Sequence, residues 1–156
     1  MYIAMRARAV VLLCIVLVSI ITPALAANDE RYGYITVNSV QVRLDNDTAL
    51  IHLNYSVDEG MRVIFFLLGY QDLKNKLLTI LNYDDAQMEH LDLSQADFVV
   101  DQAAYSYGNG VYWFPSHQFN IVIPKLTVES PQVIRNFTNT DQFPGGIGYF
   151  GNGTTD

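Results

Sequence analysis

The sequence predicts a mainly β domain, an immunoglobulin-like two-layer antiparallel sandwich with one inserted α-helix. Three observations predict it. Apolar residues alternate with polar ones over most of the chain, turn-forming residues recur at short intervals, and a single stretch follows the helical period.

Ahead of the domain, Arg6 and Arg8 precede an apolar run at residues 9–21, which leads into Thr22-Pro23 and Ala24-Leu25-Ala26. A basic start, a short apolar run and small residues at the cut compose a secretory signal peptide, so residues 1–26 are expected to be removed after Ala26. The run falls short of the roughly 20 residues of a spanning helix, and Pro23 would interrupt one. Retention of the leader as an anchor is the alternative.

Residues 32–44 carry Ile35, Val37, Val40, Val42 and Leu44 among polar neighbours, close to the period of a half-buried strand. A turn is expected at Asp45-Asn46-Asp47. In residues 50–57, Ile51, Leu53, Tyr55 and Val57 point one way and His52, Asn54 and Ser56 the other, which makes an antiparallel hairpin with one wet face. Residues 61–68 are apolar except for Arg62 and read as a strand covered on both faces. The period then changes: Leu73, Leu77, Ile80 and Leu81 share one helical face, and Asp72 stands where it can cap, giving a helix over residues 72–82. Strands are expected again at residues 88–93, 98–107, 111–114 and 119–128, the last interrupted by Pro124, with Asn109-Gly110 as a hairpin turn. The sandwich domain thus occupies residues 27–134. Residues 135–156, rich in Gly, Asn and Thr, read as an extended tail.

Composition narrows the function. From residue 27 onward, seven basic residues face sixteen acidic ones, a net charge of −9, which disfavours nucleic acid and anionic membrane surfaces as partners. No membrane insertion of the mature chain is expected. The only cysteine, Cys14, lies in the leader, so the domain is expected to hold together by packing without disulfides. Four sequons, at Asn46, Asn54, Asn136 and Asn152, are candidates for N-glycosylation.

The chain lacks the phosphate-binding, nucleophile-elbow and zinc-helix motifs, and no catalytic residue, metal site or cofactor is assigned. His52, His90 and His117 would make an extracellular metal hydrolase if they converged, but their dispersed spacing reads as ordinary solvated histidines. Asp45, Asp47, Asp58 and Glu59 are turn carboxylates set at opposite ends of one strand, too far apart to share calcium. The aromatic group is more informative. Tyr105 and Tyr107 share one face of a strand, Tyr112 and Phe114 share a face of its hairpin partner, and Trp113 points opposite to those two. Such side chains either fill a sandwich core or, on an exposed face, form a ligand platform of Tyr105, Tyr107, Tyr112 and Trp113 that stacks on sugar rings. The segment 130–138 reads as an arm able to add a strand to a partner's sheet.

Tyr112-Trp113-Phe114-Pro115-Ser116-His117, Ile123-Pro124, Ser130-Pro131-Gln132 and residues 143–150 resemble a group of small exported proteins of unknown function from methanogenic archaea. The resemblance covers the C-terminal third and implies an archaeal cell-surface setting. It carries no activity and no site residues. The expectation is a secreted or surface-held, non-enzymatic interaction or structural module of the envelope whose partner is another cell-surface protein or a glycan, with a carbohydrate-binding module as the alternative.

Overall fold

The computed structural model describes residues 31–152, so the expected leader and its expected cleavage site lie outside the described residues. In chain order the elements are β1 (Arg31–Tyr32), β2 (Ile35–Asp45), β3 (Thr48–Val57), α1 (Glu59–Leu68), α2 (Gln71–Leu81), β4 (Gln87–Leu91), β5 (Gln95–Val100), β6 (Tyr105–Ser106), β7 (Val111–Phe114), β8 (His117–Glu129), β9 (Ile134–Phe143) and β10 (Ile147–Phe150). The protein is mainly β, with two sheets that form an open sandwich. The large sheet runs β4-β5-β3-β2-β8-β9, with β1 added beside β2, and the small one runs β10-β7-β6. All pairs are antiparallel except β2 with β8.

Alternation sets the faces. Val40, Val42 and Leu44 of β2, Ala49, Ile51 and Leu53 of β3, Ala96 and Phe98 of β5, and Leu126 and Val128 of β8 bury one face of the large sheet in a single core. Their neighbours Gln41, Arg43, His52 and Asp97 leave the other face wet. Over the buried face, α2 covers one part with Leu73, Leu77, Ile80 and Leu81, and the small sheet covers another with Phe114, Ile147 and Tyr149. The Tyr149 hydroxyl donates to the Asn46 carbonyl (2.6 Å), pinning the small sheet to the β2–β3 turn. Asn82 Nδ2 donates to the Gln118 carbonyl and Asn120 Nδ2 to that of Thr79, tying α2 to β8.

Four expectations need correction. Residues 61–68 form α1 and not a strand, so the insertion holds two helices. A short run that is apolar at seven of eight positions fits a buried strand or a helix equally by periodicity. Here the backbone decides, with Met61 and Arg62 donating to the Asp58 carbonyl and Gly69 closing the last turn onto Phe65. Asp72 does not cap α2; its carboxylate accepts from the Tyr34 hydroxyl (2.6 Å) instead. Residues 98–107 are not one strand: the chain leaves β5 at Val100, turns through Asp101-Gln102, and enters the other sheet as β6. The extended tail is folded. β9 pairs along β8, and β10 pairs with β7 at one edge of the small sheet, burying Ile147 and Tyr149. β9 escaped notice because it is an edge strand with mostly exposed side chains, so it lacks the alternation that burial imposes.

Candidate functional site

The small sheet presents the aromatic surface. Tyr107 N–H donates to the Val111 carbonyl (2.9 Å), closing the β6–β7 hairpin around Asn109 and Gly110, both in the left-handed region. The register sets Tyr105 opposite Trp113, and Trp113 opposite Gly148 on β10. Tyr105, Trp113 and Gly148 therefore form one row across three strands. Its outward face carries Tyr105, exposed at 62%, and Trp113, at 39%, with Tyr107 just beyond at 72%.

Glycine makes room for the indole. A Cβ on Gly146 would lie 2.6 Å from Trp113 Cζ2 and 2.8 Å from the Phe114 carbonyl oxygen, and one on Gly148 would touch Trp113 Cε3 at 3.5 Å. The indole thus packs against bare backbone, and the Arg135 guanidinium holds that backbone by donating to the Gly146 carbonyl (3.0 Å). Two glycines of the segment expected to be an extended tail are the bed of Trp113.

Tyr112 does not belong to this surface. It faces inward and stacks on Tyr149, ring centroids 5.8 Å apart and planes 22° from parallel. Neighbours on a strand point to opposite faces, so Tyr112 and Trp113 cannot share one. Burial pushes the Tyr149 hydroxyl up to about 12, with the nearby Asp47 carboxylate, Tyr112 and the Asp45 carboxylate adding to it.

The wet face of the large sheet holds a second polar group. His52 and Asp97 stand directly opposite each other on β3 and β5, with Nδ1 and Oδ1 2.5 Å apart. They line a shallow depression of about 350 Å³ with Gln41, Arg43, Leu50 and Glu89. Asp97 orients the imidazole, as the aspartate of a Ser-His-Asp triad orients its histidine. The other polar side chains lining the depression are the Gln41 amide, the Arg43 guanidinium and the Glu89 carboxylate, with no hydroxyl or thiol side chain among them. Asp97 was not legible as a partner in the sequence, because the pairing follows only from the β3–β5 register.

The other histidines are dispersed. His90 Nε2 lies 3.8 Å from Asp92 Oδ2. His117 Nε2 donates to the Leu81 carbonyl (2.7 Å) and is stacked on Tyr83. Burial holds the His117 imidazole below its usual range, although the Leu81 carbonyl favours the protonated form. Among the described residues, no three His, Cys, Asp or Glu side chains gather around a point where one ion would fit. Asp45 and Asp47 lie at one end of β3, and Asp58 and Glu59 at the other.

The sequon asparagines differ in access. Asn136 and Asn152 are exposed, the first on edge strand β9. Asn54 is half-buried beside Ser39, and Asn46 is half-buried in the β2–β3 turn. The last two residues of the Asn152 sequon lie outside the described residues.

Among the described residues no helix is long and apolar enough to cross a membrane. No family of known proteins matches the chain, and neither a curated protein nor a solved structure is significantly similar to it.

Proposed function

We propose that the chain is a secreted, glycosylated, non-enzymatic interaction module of the cell envelope, archaeal by its C-terminal resemblance, that binds a glycan through Tyr105, Tyr107 and Trp113. The observation that carries this reading is the exposed cross-strand pair of Tyr105 and Trp113, the indole backed by Gly146 and Gly148. A sugar ring offers an apolar face of C–H groups that stacks on such rings, while its hydroxyls find the indole N–H and phenol groups at the edges. An indole already held against backbone loses little freedom when a ligand covers it, which favours affinity.

Trp113 is the only tryptophan in the chain, so its fluorescence reports the site. Titration with the soluble polysaccharide fraction of the source cell's envelope is expected to give a saturable shift of that emission. Tyr105→Ala should weaken the response more than tenfold. A flat titration, or one that Tyr105→Ala leaves unaltered, would remove the glycan reading.

A second reading rests on β9, whose outer edge has no strand beside it among the described residues and carries exposed Ile134. An open edge accepts a strand from another surface protein. Cross-linking on intact cells that captures one stoichiometric partner through residues 131–143 would favour it.

A further inference from the structure

Helix α1 leaves most of its apolar side chains uncovered. Of its side chains only Phe65 is buried, against Tyr34 (ring centroids 5.2 Å) and Tyr70 (6.1 Å), while Met61 is half-buried. Phe66, Leu67 and Leu68 are exposed at 84%, 72% and 82%, and Val63 and Ile64 are exposed beside them. A helix apolar nearly all round belongs inside a protein or in lipid, and so continuous an apolar patch on a small domain marks an interaction surface.

Its surroundings indicate which. Arg31, the first described residue, places Nη2 2.6 Å from Oδ2 of Asp58, the residue that leads into α1. The described chain therefore begins beside the N-terminal end of this helix. Positive charge collects here as well. Of the seven Lys and Arg residues from position 27 onward, Arg31, Arg62, Lys74 and Lys76 lie on β1, α1 and α2. On those three elements themselves the only carboxylates are Glu59 and Asp72, with Asp58 leading into α1 and Asp84 and Asp85 following α2. Three tyrosines complete the rim, with Lys76 Nζ 5.3 Å from the Tyr34 ring centre and 5.5 Å from that of Tyr32, and Tyr70 at the end of α1. Apolar helix, cations and tyrosines together are the composition of a segment lying in a membrane interface.

We propose that α1 docks on the surface of a lipid bilayer, lying in its plane with Val63, Ile64, Phe66, Leu67 and Leu68 among the upper acyl chains and Arg62 and Lys74 at the headgroups. Ten residues are too few to cross, so the helix rests on the membrane. A second copy fits less well. Five side chains on so short a helix fall below the roughly 800 Å² per partner of a standard protein interface, and twofold pairing would bring the same cations together.

The test uses the full chain with Cys14→Ser and a bimane fluorophore on Leu67→Cys or, as a control, on Asn109→Cys in the β6–β7 turn. Vesicles of phosphatidylcholine and phosphatidylglycerol carry nitroxide-labelled lipids. Quenching at position 67 but not at 109 is expected, and Phe66→Ser with Leu68→Ser should lower the bound fraction more than tenfold while leaving thermal unfolding unchanged. The proposal is overturned by an unquenched label at position 67. It is equally overturned by a dimer in sedimentation that the double variant abolishes, or by cross-links from position 67 to residues 9–21, which would name a second copy or the leader as the occupant.

Discussion

Tyr83 lies flat on His117, ring centroids 3.7 Å apart and planes within 3°, and its buried hydroxyl has no hydrogen-bond partner among the described residues. A buried hydroxyl without a partner costs its desolvation and returns nothing, whereas the ring keeps its stacking without it. Tyr83→Phe is therefore expected to leave the unfolding free energy unchanged or raise it by about 1 kcal/mol in urea titrations. His117 beneath it gives a pH dependence. Burial lowers its folded pKa below the ordinary value of 6.5, so as pH falls the unfolded chain takes up the proton first. The stability this histidine contributes is complete above 6.5 and is lost as pH falls through the folded value. Melting temperatures followed by circular dichroism down from neutral pH should decline in that window, and His117→Gln should flatten the decline. Access predicts glycan placement in the same way. Glycopeptide mass spectrometry should find Asn136 and Asn152 occupied ahead of Asn46 and Asn54, which are half-buried.

Between elements, attachment differs sharply. Helix α1 is held by Phe65, so Phe65→Ala should destabilise by about 3 kcal/mol, the usual cost of emptying a buried aromatic site, while Phe66→Ala next to it should change denaturant midpoints little. The small sheet depends on its glycines. Gly146 has φ 62°, where side chains are strained, and its missing Cβ is where the Trp113 ring lies. Gly146→Ala is expected to displace the indole, shift its emission and weaken binding at the aromatic surface. These elements also show what the sequence made legible. β2, β3 and α2 stood out because each buries one face, and burial writes its period into the residues. Helix α1 did not stand out as a helix because it is apolar on nearly every side and leaves no stripe. β9 lacks a period for the opposite reason, since an edge strand exposed on both faces constrains few of its residues. The Tyr105–Trp113 pair could not be read from Asn109-Gly110, because a two-residue turn there would set Trp113 opposite Ser106, whereas the loop also takes in Gly108 and moves the register by one residue. The bed of Gly146 and Gly148 under Trp113 could not either, because β10 reaches β7 only after the chain has run through β8 and β9.

At the scale of the molecule, the two exposed apolar surfaces stand at opposite ends of the β2–β3 hairpin. Arg31, Asp58 and α1 lie where β3 ends and β1 runs into β2, while the small sheet is pinned at the Asn46 turn, where Ala104 N–H also donates to the Asp47 carbonyl. Strands rise about 3.3 Å per residue, so the eleven residues of β2 put roughly 30 Å between them. A module resting on lipid through α1 would then hold Tyr105, Tyr107 and Trp113 away from the membrane. Coupling between two sites requires an element with two arrangements that both ligands bias. What lies between them is one hairpin paired in continuous register from Ser39 to Asp45, its inner side chains Val40, Val42, Ile51 and Leu53 fully buried in the core. The affinity of the aromatic surface for envelope polysaccharide, measured by calorimetry on free and on vesicle-bound protein, is therefore expected to agree within about twofold, less than the roughly fivefold or greater shifts typical of allosteric coupling. A larger difference would mean that the membrane reaches the small sheet directly, and with it that α1 is not the face that docks.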